Sequence, residues 1–432
     1  MNGMEPPDAA HSSGDIPRVV EHLFRHESGR LIATLTRIFG VEHLTLAEDV
    51  VQEALARALQ TWPFRGVPEN PAAWIMRTSR NLALDHVRRE RTFRDKEQEI
   101  VRIMGEGSHA ADPSDPADEG LADDRLRMLF VCCHPRIPVE SQIALALKVL
   151  GGFSPAEIGK AFLTTEAAIA KRLTRARQQL HDAGIPFSIP EGTDLTRRID
   201  AVLQSLYLLF NEGYKASSGD QLVRADVCHE AIRLGALLTR RTDCDLPKVH
   251  ALLALMFFNT ARLTTRVDAA GNLLLLKDQD RSRWDGSMIA QGMFHLTRSA
   301  AGEAVAEFHL QAGIAACHAA AINYESTDWS QILVLYDQLA RMDASPVVAL
   351  NRAIAVANVH GPEAGLAAIA AIEDPARLES YHLLHAVRGE LESQANRPAV
   401  AIGHFQRALE LTSVKSEQEF LVRRLQALRQ MA

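Results

Sequence analysis

Apolar residues along this chain recur every three or four positions, and alternating stretches are almost absent. That spacing predicts an all-α chain of helices packed on helices. Thr45 to Trp62 is the clearest case: Leu46, Val50, Ala54, Leu55, Ala58 and Leu59 form one stripe. Thr45 and Glu48 have capping-box spacing at its start. Asp49, Gln52 and Glu53 lie off the stripe, as solvated residues would. Trp62 to Asn70 then holds two prolines and a glycine and predicts a loop. Pro71 opens a further helix, to about Glu90. Ile75, Thr78, Leu82 and His86 fall on one side of it, and Arg77, Arg80, Asn81 and Arg88 on the other.

A second helical unit spans about 122 to 182. Within it, Ser154, Pro155 and Glu157 start a short helix whose inward residues are Ile158, Ala161 and Phe162. Leu163-Thr164 makes a tight turn, and Thr165 caps a second helix with Ile169, Leu173, Ala176 and Leu180 as its stripe. Ala167, Lys171, Thr174, Arg175 and Gln178 face away, flanked by Arg172 and Arg177. Residues 195–432 are an Ala- and Leu-rich helical pattern, with Asn272 to Leu276 as the one extended piece. Near its end two segments align at a shift of 36, pairing Ala353, Ile369 and Ile372 with Gly389, Phe405 and Ala408. The second carries the small–small–aromatic–small spacing of a tetratricopeptide repeat, so stacked helix pairs are expected over about 343–412.

Breaks divide these patterns into domains. Residues 1–17 are rich in Pro, Asp, Ser and Gly and read as a disordered tail. The expected organisation is a first domain at 17–94, a flexible acidic linker at 95–121, a second domain at 122–182 and the helical extension at 195–432. Charge reverses sharply between the first two: Arg77 to Arg94 carries a balance of +4, and Asp95 to Asp124 one of −8. The whole chain, 432 residues with a formal charge of −7, is thus acidic on average and basic on local faces. No apolar run is long enough for a membrane span, and the N-terminus lacks the pattern of a signal peptide. The five scattered cysteines read as reduced thiols of a cytoplasmic protein.

Two constellations suit nucleic acid. The first is the Arg77, Arg80, Asn81 and Arg88 face, with Trp62, Phe64 and Trp74 as stacking surfaces for unpaired bases. The second is a helix-turn-helix whose second helix carries small residues first and basic residues after, as entry into a major groove requires. Exposed arginines on an ordinary helix, and an ordinary helical hairpin, are the plain alternatives. Asp278, Asp280, Arg281, Arg283 and Asp285 form a dense charge cluster in the extension. It reads first as a salt-bridge and capping network, and second as a partner or ligand site at Asp278, Asp280, Arg281 and Arg283. No catalytic residue, metal or cofactor is expected. Adjacent Cys132 and Cys133 beside His134 cannot complete a tetrahedral zinc site alone.

Taken in order, AEDVVQEALARAL, NPAAWIMRTSRNLALDHVRRE and GGFSPAEIGKAF-LTTEAAIAKRLTRAR resemble a bacterial sigma factor of the extracytoplasmic-function class. LRMLFVCCHPRIPVESQIALALKVLGG resembles a subgroup with a long helical C-terminal extension. The resemblance implies no enzymatic activity. It implies an alternative sigma factor that binds core RNA polymerase and promoter DNA, with an extension that regulates it in cis or through a partner. Asp49, Gln52 and Glu53 would dock on the polymerase clamp, which revises the solvated-face reading. Trp62, Phe64, Arg77, Arg80, Asn81 and Arg88 would open and contact the −10 element. Thr165, Ala167, Ala168, Lys171, Arg172 and Arg175 would read the −35 element. Leu163 and Thr164 depart from the family's turn, which usually has Gly and then Ile or Val. A conventional helix-turn-helix regulator and a repeat scaffold are the competing readings. The regulator would not need the polymerase-docking face, and the scaffold would show neither activity.

Overall fold

The computed structural model describes residues 16–89, 116–162, 164–214, 223–268, 273–302, 304–373, 378–412 and 414–431. They are helical throughout, and the single bridge, Val267 to Leu273, builds no sheet among them. Leu273 belongs to the piece expected to be extended, whose Asn272 lies outside the described residues. Residues 1–209 form one compact unit and residues 210–432 another.

The first unit contains α1 (Ile16–Phe39), α2 (Leu44–Arg65), α3 (Pro71–Arg89), α4 (Pro116–Cys132), α5 (Val139–Gly151), α6 (Pro155–Ala161), α7 (Glu166–Ala183) and the first part of α8 (Gly192–Tyr214). The expected linker at 95–121 is shorter than its composition suggested, because α4 already begins at Pro116 and residues 95–115 lie outside the described ones. Proline suits that first turn, where its missing N–H would have no helical partner. α1 packs on α2, α4 and α5. The approach to α5 is so close that a Cβ at Gly29 would stand 2.8 Å from the Leu150 carbonyl oxygen.

The first part of α8 lies in the first compact unit. Leu195, Ile199, Val202, Leu203, Leu206 and Leu209 are buried. The Arg198 guanidinium donates to the Phe130 carbonyl, Ser205 Oγ lies 3.5 Å from Cys133 Sγ, and Leu209 lies against Gly151. Residues 195–209, which the sequence pattern places in the extension, therefore pack against the second N-terminal domain. Burial pushes the Cys133 thiol up to about 12 and Cys132 higher than a free thiol, so both stay neutral.

The second unit stacks α9 (Ala225–Thr239), α10 (Pro247–Thr260), α11 (Gly286–Ser299), α12 (Glu307–Ala320), α13 (Trp329–Met342), α14 (Pro346–His360), α15 (Pro362–Ala370), α16 (His382–Gln394), α17 (Pro398–Leu411) and α18 (Lys415–Met431). From α9 onward each helix packs on its successor, which is the quasi-one-dimensional logic of a solenoid. Ala353, Ile369 and Ile372 share one core cluster, and Ala401, Phe405 and Ala408 another. Gly389 is small because the Phe405 ring passes 3.1 Å from where its Cβ would stand. In α10 and α11 an interior chain runs from Asp245 through His250 to His295, with ring and carboxylate atoms 2.7 Å apart at each step.

Two outcomes are expected. Truncation after Asp182 strips six buried aliphatic side chains of α8 and is expected to unfold the second domain, whereas truncation after Leu209 keeps the first unit cooperative in thermal melts. Burial holds His134 and His295 down to about 4 and His318 to about 3, below the usual histidine value. The unfolded chain therefore binds more protons in that range. Stability is full above about pH 6.5 and is lost as pH falls toward 4, which urea midpoints at pH 7 and pH 5 will show.

Candidate nucleic-acid interface

α2 does not start as its spacing predicts. Its N-cap is His43, and Thr45 is exposed without a capping role. Glu48 turns inward, 4% exposed, and its carboxylate accepts two hydrogen bonds from the Arg177 guanidinium of α7, Nε at 2.5 Å and Nη2 at 2.9 Å. A local cap is displaced by a bidentate, charge-assisted partner that lies far away in sequence. The buried stripe also begins earlier and ends later: Leu44, Ala47, Val50, Val51, Ala54, Leu55, Ala58 and Trp62, with Leu59 exposed. Asp49, Gln52 and Glu53 are exposed, and Glu53 pairs with Arg57.

The helix continues through Pro63 to Arg65, so the loop before α3 is shorter than expected. Gly66 turns the chain at φ +78°, a left-handed value that disfavours a side chain. This places the two loop aromatics oppositely. Trp62 is in the core, edge-to-face with Trp74 at 5.5 Å, and offers no stacking surface. Phe64 is 89% exposed and does. A tryptophan that completes an apolar stripe is buried by it, whereas Phe64 falls two residues beyond.

Asn70 caps α3, accepting from the Ala73 N–H at 3.0 Å. The inward residues are Ile75, Ser79 and Ala83, and His86 is exposed. The small Ser79 and Ala83 thus take the fully buried positions, with Ile75. Arg77, Asn81 and Arg88 are exposed. Arg80 is half-buried, with its Nε enclosed and unpartnered among the described residues.

α6 and α7 form the helix-turn-helix. Ser154 and Glu157 make the reciprocal capping box, and Thr165 accepts from the Ala168 N–H at 3.2 Å. Ile169, Leu173, Ala176 and Leu180 are its buried stripe. A Cβ at Gly159 would stand 3.0 Å from the Thr164 carbonyl, which sets how tightly the turn closes. Leu163 lies outside the described residues. Thr165, Ala167, Ala168, Lys171 and Arg175 are exposed, and Arg172 is half-buried over the Phe162 ring. The unbonded first-turn N–H groups, small side chains and then cations form one outward face.

In the second unit the charge cluster is divided. Asp280 caps the 3-10 turn 281–283, and Asp285 caps α11. Arg281 spends its guanidinium on the His318 carbonyl at 2.8 Å, the Ala321 carbonyl at 3.2 Å and Thr327 Oγ1 at 3.0 Å. It ties down the C-terminal end of α12, where carbonyls lack helical partners. These hydrogen bonds of Arg281 go to the fold itself. Asp278 and Arg283 stay exposed. Among the described residues no three His, Cys, Asp or Glu side chains are grouped to hold a metal ion.

The family models matched are sigma-70 region 2 at residues 23–93, sigma-70 region 4 at 127–180, and a family of unknown function (DUF6596) at 198–300. An uncharacterised protein of Rhizobium meliloti is 41% identical over 90% of this chain and 91% of its own length. The probable ECF RNA polymerase sigma factor SigI of Mycobacterium tuberculosis is 26% identical over 39% of this chain and 57% of its own. The ECF RNA polymerase sigma factor SigE of Mycolicibacterium smegmatis is 29% identical over 38% and 60% respectively. Both mycobacterial matches thus cover less than two thirds of those factors. No solved structure matches.

Thr165→Ala is expected to cost about 1 kcal/mol through loss of the cap, read as a lowered urea midpoint with unchanged far-UV dichroism.

Proposed function

The chain belongs to the sigma-70 family as a factor of the extracytoplasmic-function type with a C-terminal extension, and we propose from this how its exposed faces divide the work. It is an alternative sigma factor that directs transcription initiation with core RNA polymerase at promoter DNA. Sigma-70 families are not enzymes, and in this reading the chain contributes no catalytic chemistry.

α7 enters the −35 major groove with its N-terminal turn leading. Ala167 and Ala168 allow close approach, and Lys171, Arg172 and Arg175 reach phosphates and base edges. α3 lies along the −10 element through Arg77, Asn81 and Arg88. Phe64 receives a base that has left the stack, an interaction of about 1–3 kcal/mol. Asp49, Gln52 and Glu53 meet the basic surface of the polymerase clamp, where their exposure leaves them available. The observation that carries this division is the outward placement of both cationic faces while their apolar stripes are buried. The net charge of −7 accords with it, because polymerase supplies much of the DNA affinity. The extension regulates in cis or by docking a partner, supported by its solenoid architecture.

Run-off transcription with core polymerase on a promoter selected by the wild-type holoenzyme from random DNA tests the division. Lys171→Ala/Arg175→Ala is expected to weaken promoter binding and to lower the slope of log affinity against log salt by about 2. Phe64→Ala is expected to leave closed-promoter binding intact and to reduce strand opening about 10-fold, read by permanganate reactivity. Equal transcription from all three chains would refute the assignment.

A further inference from the structure

In the second unit three arginines gather with no acid to pair with. Tyr214, the last residue of α8, carries the Arg266 guanidinium over its ring at 3.8 Å and the Arg262 guanidinium at 5.4 Å. Both arginines follow α10 in the chain. Arg281, on the segment before α11, lies over the Trp284 ring at 5.2 Å and reaches the end of α12 at the His318 carbonyl. Every hydrogen-bond acceptor the three use among the described residues is neutral. Arg262 donates to Asn259 Oδ1 at 2.9 Å, Arg266 to the Tyr214 carbonyl, and Arg281 to two carbonyls and the Thr327 hydroxyl. We propose that Arg262, Arg266 and Arg281 form a binding site for the phosphate group of a small molecule.

Buried charges in proteins are paired, because an ion taken from water regains its lost hydration only from an opposite charge. These three instead act against one another. Burial, and after it the charge of Arg262, lowers the proton affinity of Arg281. Burial leads for Arg266 too, and Arg262 adds to it. Burial together with Arg262 and Arg281 holds His318 down to about 3. Glu325 and Glu417 pull Arg281 and Arg266 the other way, but neither makes an ion pair with them among the described residues. Glu417 accepts instead from the Thr412 hydroxyl at 2.6 Å. The face of Tyr214 attracts both of its cations, with less than a full countercharge.

Spare donors add to the excess of charge. Arg281 Nε, Trp284 Nε1 and His318 Nδ1 are enclosed and unpartnered among the described residues, and Trp284 is only 7% exposed. Buried polar groups almost always have partners, so three such atoms around one guanidinium need a reason. A cluster rich in N–H groups and free of acids suits a ligand made of acceptors. A phosphate group presents several strong acceptor oxygens and about two negative charges. Guanidinium groups match its geometry with paired hydrogen bonds. Chloride or a single carboxylate brings less charge to three cations. Arg262 and Arg281 are half-buried, so the cluster is reached from solvent through them. All three arginines fall within residues 198–300, the part matched by the family of unknown function. The proposal does not depend on the promoter roles given to α3 and α7.

Isothermal titration of the full chain with pyrophosphate, at ionic strength held constant with potassium chloride, tests it. Wild type is expected to bind saturably at one site per chain. Arg262→Gln is expected to bind about 10-fold more weakly, through the loss of a charge-assisted hydrogen bond. Arg262→Lys keeps the charge but not the fork, and its affinity is expected to lie between the two. It serves as the comparison if the glutamine variant does not fold, which far-UV dichroism decides. Arg240→Gln, at an exposed position outside the cluster, is expected to bind as wild type does. Inorganic phosphate and adenosine 5′-diphosphate as further titrants separate a free phosphate from a nucleoside-borne one, and citrate tests for a polycarboxylate. Absence of saturable binding of all three phosphate compounds to wild type overturns the proposal. So does a folded Arg262 variant that binds as tightly as wild type, or citrate binding more tightly than every phosphate compound.

Discussion

The first unit turns on one charged contact inside an apolar setting. Glu48 lies on a helix whose neighbours Ala47, Val50 and Val51 are all buried, and Arg177 follows the buried Ala176. Two ions leave water there and regain most of that cost only through their paired geometry. Such a pair contributes little net stability compared with well-packed apolar residues. Removing one partner, however, strands the other, at about 3–5 kcal/mol. The pair therefore specifies which face of α2 meets which face of α7 more than it adds stability. Lys148, held below its usual value by burial and drawn back up by Glu48, shows how far the acid's field extends across this seam.

The same contact organises the functional surfaces. With Glu48 turned in, Asp49, Gln52 and Glu53 are left outward on the adjoining arc of α2. With Arg177 turned in, Lys171 and Arg175 are left outward on α7. An acidic face and a basic face thus result from one shared interior decision. Net acidity and DNA binding coexist because charge is sorted by face rather than averaged over the chain.

The second unit obeys a different rule. Each helix is stabilised by its neighbours in the stack, and its core divides into successive clusters at α12–α14, α14–α16 and α17–α18. Arg281 shows how irregular segments are integrated, since one side chain satisfies two carbonyls and a hydroxyl at the end of α12. The dense charge at 278–285 is thereby mostly consumed in building the fold.

What the sequence determined by itself was whatever repeats at helical spacing or caps a helix locally. The stripe Ile169, Leu173, Ala176 and Leu180, the Ser154 capping box and the Gly389–Phe405 fit were all legible, because their signals lie within a few residues or one repeat. The three blocks were legible as a sigma-type pair through their resemblance to a known family and not through spacing alone. Tertiary structure decided the rest. Trp62 and Phe64 look alike in sequence, yet only packing against Trp74 separates the core ring from the surface one. His86 fitted the inner stripe by angle but is exposed, while Ser79 and Ala83 are buried. Residues 195–209 read as extension, and only the folded chain shows their apolar side chains packed in the first unit. Glu48 read as a cap, but its partner lies 129 residues away. Helical periodicity reports which side of a helix is inside, while burial of a charge depends on a group that only the folded chain brings near.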